Sequence, residues 1–516
     1  MEIKVREAAP RETRTAGGRA IRGRLLAKNT IYNLLGQVIP MIAAFLAIPV
    51  LIRALGAPRF GVLSLAWMVV GYFGLFDMGV GRATTKFVAE NLAAGQTRTV
   101  SKLIWTSMGM LGAFGLFAGI TLALSAHVLA TRLLNVPQAL RPETVKAFRM
   151  LALSLPFVLG TAGTRGVLAA QQRFGTINAI KAPASVASFI IPIVVVRFTN
   201  SLYPITAALV AGRVIVFMIY FYFCLKWTPG MRKWSLPGTS LARKMLGFGT
   251  WVTISNVVSP LMDYMDRFVI GAMLTMSAVA YYCTPFDMVS RLWIIPGSLM
   301  GVAFPVFSAT FGRDPARFAT LYERASKYAI MGVAPVSMAL VVMARPLLSF
   351  WIGREFASHG TAVLQILAIG VFINASAQAP YTAIQGMGRP DLTAKFHLLE
   401  LPIYITVLRL AVPAMGITGA ALAWTLRNTV DAVLLHWCAG RMMPAERKRS
   451  GYHAFAFPLL LAVMAMSVFL TRGMRAFGPR LAYLLCLLPP LFWLLWRFLM
   501  DPEEKALFTG FFCNLL

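Results

Sequence analysis

Three short stretches of this otherwise apolar sequence carry side chains that could hold a ligand or move a proton. At about 100° per residue, Asn256, Ser259, Asp263, Asp266 and Arg267 fall within roughly one 100° sector of a helix. Thr284, Asp287, Ser290 and Arg291 repeat that geometry, and Arg427, Asn428 and Asp431 form a third group. The i,i+4 spacing allows Asp263 with Arg267, Asp287 with Arg291, and Arg427 with Asp431 to neutralise each other as ion pairs. Asp266 has no such partner, and Arg213 has no acidic neighbour within a turn. Carboxylates so placed could bind a coupling proton or cation, and charges at bilayer depth normally line a bundle interior or cavity, since exposing them to lipid costs several kcal/mol.

The elements that position these groups follow from composition. Of 516 residues, 58% are hydrophobic and 13% charged, against about 25% charged in soluble chains. The chain therefore reads as an all-α polytopic membrane protein. Crossing about 30 Å of hydrocarbon takes about 20 apolar residues, and about fourteen transmembrane runs of that kind occur: 30–52, 61–81, 103–129, 148–171, 177–197, 201–225, 247–272, 278–307, 328–350, 361–386, 396–412, 417–437, 454–471 and 481–500.

A net charge of +30 would suit nucleic acid, but its distribution points elsewhere. With both termini cytoplasmic, the inner segments hold 32 of the 49 Lys and Arg, the outer ones 13, and four (Arg213, Arg267, Arg291, Arg427) fall within spans. That is the positive-inside pattern, with anionic lipid as the partner of the basic clusters and no nucleic acid. The basic N-terminal segment reads as a cytoplasmic tail before an uncleaved first helix. Five scattered cysteines indicate neither disulfides nor a metal site. His397 and His436 read as helix-end residues. No phosphate-cradling GxxxxGK[ST] loop, HExxH or GxSxG occurs, so no cofactor is expected, and connections this short leave no room for the catalytic loop of a polymerase or ligase. A transporter is the expectation, not an enzyme.

An internal repeat refines it. NLLGQVIPMIAAFLAIPVLIRALGAPRFGVLSLA from Asn33 can be laid over TISNVVSPLMDYMDRFVIGAMLTMSAVAYYCTP from Thr253, and LAAQQRFGTINAIK over TAIQGMGRPDLTAK. Both matches keep chain order over six spans. They predict a basic tail (1–29), a six-helix lobe (30–225), a basic linker (226–246), a second six-helix lobe (247–440) and an appended pair, helices 13–14 with the C-terminal tail (441–516). Parallel repeats of this kind bind substrate between lobes and rock about it.

The run APRFGVLSLAWMVVGYFGLFDMGVGRATTKFVAE, with GVLAAQQRFGTINAIKAP and AIQGMGRPDL, resembles the polysaccharide-transport branch of the multidrug/oligosaccharidyl-lipid/polysaccharide flippase superfamily. The resemblance covers roughly residues 28–440. It implies two pseudo-symmetric six-helix bundles in a V, and a bacterial inner-membrane protein that moves undecaprenyl-diphosphate-linked repeat units of O-antigen or exopolysaccharide to the outer leaflet, with a polymerase or glycosyltransferases as partners. A multidrug cation exporter and a flippase for the cell-wall precursor are the alternatives within the superfamily.

For that cargo, Arg267 and Arg291 are the leading diphosphate candidates, because arginine offers phosphate a planar fork of donors and stays charged; Arg213, Arg165 and Arg82 follow. Asn33, Gln37 and Asn256 could bond sugar hydroxyls. Asp263, Asp266, Asp287, Arg427 and Asp431 are coupling or gating candidates. Asp77, some 16 residues into the second span and about 24 Å deep, is either an inner-interface ion-pair partner of Arg82 or a gating group.

Overall fold

The computed structural model describes residues 16–75, 79–228, 231, 234–236, 238–247, 250–443, 451–474, 476–500 and 504–505, with side chains from Ile39 onward apart from 74–75, 244, 247, 250–257, 451–455 and 498–499. Asp77 and the side chains of Asn33, Gln37 and Asn256 lie outside the described residues.

The described chain is a succession of helices. The first, Ala16–Leu75, turns at Gly56, whose φ of 74° and ψ of 163° only glycine adopts without strain; we number its parts α1 (16–55) and α2 (57–75, resuming as Val80–Ala93). Then come α3 (Thr97–Val128), α4 (Arg141–Ala152 continued by Leu155–Ala170), α5 (Phe174–Val196) and α6 (Leu202–Trp227). A short helix, Thr239–Gly247, occupies the basic linker. It leads into α7 (Thr250–Met273), α8 (Met276–Ser290 continued by Ile294–Thr310), α9 (Pro315–Trp351) and α10 (Arg354–Gly386). Pro390–Met442 turns at Gly416 (φ 62°) into α11 (390–415) and α12 (417–442), and α13 (Gly451–Arg472) and α14 (Phe477–Leu494) follow.

Ten of these segments are long and apolar enough to cross a membrane. Two contain the glycine turns and count twice; α7, whose Asp263, Asp266 and Arg267 lower its hydropathy, and α13 complete fourteen. The chain is a multi-pass membrane protein. Several spans start earlier than expected, the ninth at Pro315 and the tenth at Arg354 among them, and two differences have a local cause. The fourth span starts seven residues early, at Arg141, because Pro142 at its first turn and an ion pair from Arg59 to Glu143 (3.2 Å) anchor its start. In the second span a new helix begins at Val80 behind Gly79 (φ 72°), where one run through to 81 was expected.

α1 to α6 pack on one another, α7 to α12 pack on one another, and α13 and α14 lie against α9. α1 and α2 meet α7 and α8 between them. Several contacts between these two sets lie at the end of the molecule opposite to where α1 begins, here called the far end, and Tyr72 of α2 meets Tyr264 of α7 deeper in (ring centroids 6.4 Å). The Asn135 backbone N–H donates to Gly271 O (2.7 Å) and its side-chain amide to Ala272 O (2.9 Å). Gly61 lies so close to Met276 that a Cβ there would sit 1.9 Å from the Met276 carbonyl oxygen. The Trp351 indole N–H donates to Phe45 O (2.7 Å), and the two rings stack at 4.6 Å. That carbonyl needs an outside donor because Pro49, four residues on, has no N–H.

Arg480, 2% exposed, holds α14 to the bundle by donating to the carbonyls of Met474 (2.7 Å), Val342 (2.8 Å) and Thr471 (2.7 Å). Arg480→Met removes all three donors while keeping the stem. The expected loss is at least about 2 kcal/mol, since Thr471 O keeps the Met474 N–H as a donor (3.2 Å) and the other two orphaned acceptors cost about 1–3 kcal/mol each. Thermal unfolding of the variant in nanodiscs checks this, and an unchanged midpoint would refute it.

Candidate functional site

A polar cavity of about 230 Å³ lies between the two sets of helices, lined by Ser64 and Trp67 of α2, Ser188 of α5, Arg213 of α6, Tyr264 and Arg267 of α7, and Cys283, Asp287 and Arg291 around α8. Three guanidinium groups share it with one carboxylate. α8 shapes it: Pro296 cannot donate to the carbonyl four residues back, and the chain tightens into a 3₁₀ turn at Arg291–Trp293.

Arg267 is the most constrained of the three. It is 4% exposed, its guanidinium lies 4.2 Å over the Phe286 ring and 5.3 Å over Tyr264, and its Nη2 is 3.9 Å from Asp287. Its Nε, buried, has no hydrogen-bond partner among the described residues. Such a donor is costly to leave unmet and is ready for an incoming acceptor.

The ion pairs run between helices, not along them, which corrects the i,i+4 reading. Arg267 meets Asp287 of α8, and Arg427 of α12 meets Asp263 of α7 at 3.2 Å. A charge on a packed helical face is offset by an opposite charge on the facing helix, which repays part of the cost of taking both out of water. Asp266 is fully buried away from the cavity, accepting from the Tyr282 hydroxyl and from the Arg267 backbone N–H (2.7 Å). It fixes α7 against α8. Arg165 is half-buried near Lys181 and Tyr220 and is not among the cavity's lining residues; Arg82 is exposed on the resumed part of α2.

Two further cavities adjoin. An apolar groove of about 260 Å³ runs between α1 and α8, lined by Met41, Ile42, Phe45, Leu46, Met288 and Trp351, and it shares Asp287 and Arg291 with the polar cavity. Within the second set of helices lies a polar cavity of about 200 Å³ reached by Asp263, Asn374, Gln378, His397, Glu400, Arg427 and Asp431. A relay of side chains crosses it, from Gln378 to Asn374 (3.0 Å), Asn374 to Asn428 (2.8 Å), and Arg427 to both Asn428 (3.2 Å) and Asp263 (3.2 Å). His397 is buried there with its ring 6.2 Å from Tyr381, seven residues inside α11 and not at a helix end as expected. Glu400, 4% exposed, is absent from the sequence-based candidates. The signal was a single acid in FHLLELPIY, four residues from Tyr404 and three from His397 on one face of the helix.

Comparison with known proteins agrees with this architecture. The model of the family described as polysaccharide biosynthesis protein matches residues 26–311. A "Putative O-antigen transporter" of Shigella flexneri is 29% identical over 421 residues, covering 81% of this chain and 98% of the relative. Among solved structures, the inward-facing conformation of a multidrug resistance MATE family transporter of the MOP superfamily superposes with a TM-score of 0.70 at 16% identity, covering 79% of this chain and 98% of that one. The lipid II flippase MurJ in an inward closed conformation gives 0.63 at 12% identity, covering 86% and 98%. With more than half its length matched by the family model, this chain belongs to the polysaccharide biosynthesis protein family.

Proposed function

We propose that the protein translocates lipid-linked oligosaccharides, with a polyprenyl diphosphate as the carried anchor, across the bacterial inner membrane from the cytoplasmic to the outer leaflet. The convergence of Arg213, Arg267 and Arg291 on one cavity with a single carboxylate carries this reading. The diphosphate has to leave water without entering hydrocarbon, and guanidinium forks replace its hydration. The apolar groove beside Arg291 suits the prenyl chain, which stays in contact with lipid while the head group occupies the polar cavity. In this cavity between the two sets of helices a cation exporter would need the opposite sign. A relative named for O-antigen transport and a neighbour named as a lipid II flippase support this reading, and glycosyltransferases or a polymerase would supply and consume the cargo. The protein itself forms and breaks no covalent bond. Both termini lie on the cytoplasmic side, as the basic clusters at 4–28 and 447–449 favour.

With that topology the far-end contacts lie on the outer-leaflet side, which supports a state that does not release cargo outward. The test is the lipid-linked intermediate profile of a strain lacking the gene. A complete repeat unit accumulating on the inner leaflet, cleared by the wild-type gene, is expected. A normal profile with new sensitivity to cationic drugs would overturn the reading in favour of export.

A further inference from the structure

Glu400 and Asp431 stand apart from the cargo cavity and have no role in the reading above. Glu400 lies ten residues into α11, about 15 Å along it. Among the described residues, no group donates to either of its carboxyl oxygens or to Asp431 Oδ1, and all three atoms are buried. The two carboxyl groups nevertheless line the same α10–α12 cavity from neighbouring helices. Two carboxylates repel. Two carboxyl groups can bond only when one keeps a proton. The other charged or titratable groups turned toward them are Asp263 of α7, Tyr381 of α10, His397 and Tyr404 of α11, and Arg427 of α12. Among the described residues Arg427 is the one fixed cation lining this cavity, and its Nε and Nη1, buried, have no hydrogen-bond partner there, while Nη2 bonds Asp263 and Asn428.

We propose that Glu400 and Asp431 share one proton, and that its exchange with water moves Arg427 between Asp263 and the carboxyl pair. With the proton bound, the pair carries one negative charge and Arg427 rests on Asp263. When the proton leaves to water, one O–H bond breaks and the pair becomes a dianion. It then outbids Asp263 for the guanidinium, whose Nε and Nη1 bond nothing among the described residues. Asp263 sits one turn from Arg267 on α7, so releasing Asp263 frees the helix that carries the cargo-binding arginine. Proton occupancy at α11 and α12 is thereby linked to α7, which faces the cargo. This rests on the flippase reading for what α7 carries, but the proton site itself does not.

The test uses the full-length protein in nanodiscs, titrated with infrared detection of the carbonyl stretch of protonated carboxyl groups. The wild type should show such a band that disappears as pH rises, Glu400→Gln should lack it, and Glu400→Asp should retain it. In cells, Glu400→Gln holds the pair in the protonated arrangement and should slow outer-leaflet delivery of the repeat unit on the order of tenfold, with an unchanged unfolding midpoint. A band that survives Glu400→Gln, or follows His397→Asn instead, overturns the shared proton. A lost band with undiminished delivery overturns the link to α7. A normal lipid profile in the gene-deleted strain sinks the flippase reading while leaving the titration result to decide the proton site separately.

Discussion

Replacing both Arg267 and Arg291 by alanine should all but abolish delivery of cargo to the outer leaflet. Each supplies charge-assisted hydrogen bonds of about 1.5–3 kcal/mol to a phosphate group, so the pair should lower the rate of delivery on the order of a hundredfold or more. Arg267→Ala also leaves Asp287 without its guanidinium, which adds a negative charge to the cavity and opposes an anionic cargo. Lysine at both positions should recover part of the activity, because charge returns but the planar fork does not. Arg213, alone on α6, should matter less. The measurement is the initial rate at which the repeat unit reaches the outer leaflet, with protein level and unfolding midpoint as controls. A double alanine variant that delivers cargo at more than half the wild-type rate would remove these residues from the binding site.

Gly61→Leu should have a comparable effect by another route. A Cβ at Gly61 would lie 1.9 Å from the Met276 oxygen and 2.8 Å from its carbonyl carbon, and neither atom can move without shifting the backbone where α8 starts. The two sets of helices would be held apart at the far end, breaking the bonds from Asn135 to Gly271 and Ala272. Spin labels at Gln138 and Met273, both exposed near that seam, should report a longer distance in Gly61→Leu than in the parent, and delivery of cargo should fall to near background. An unchanged distance would mean that the seam tolerates the side chain and does not gate.

Much of this was legible from the residues. Apolar length gave the spans, and the polar stripe on α7 put Asp263, Asp266 and Arg267 in the interior, where two of them pair across helices. The pairing itself was not legible. Periodicity reports which face a residue occupies and not which helix lies opposite, so pairs along one helix were the default and pairs between helices were found. Glu400 escaped for a related reason: one acid in a run interrupted by Pro402 gives no stripe, and only the fold brings it to Asp431 from the next helix. Asp266 was legible as buried and misread as available, because Tyr282, sixteen residues away, takes its second oxygen. Arg165 and Arg82 were ranked on residue type alone, and the fold turns them to other surroundings.

The contact between Trp351 and Phe45 makes opening of the far end a matter of hydration. Pro49 leaves the Phe45 carbonyl without a helical donor, and the Trp351 indole fills that vacancy only while α1 and α9 touch. Once they part, lipid has no hydrogen to offer, and an unmet carbonyl in hydrocarbon costs several kcal/mol. Water must therefore enter as the seam separates. Osmolytes that lower water activity would hold it shut, whatever the cargo, and the outward state is one that fills before it releases.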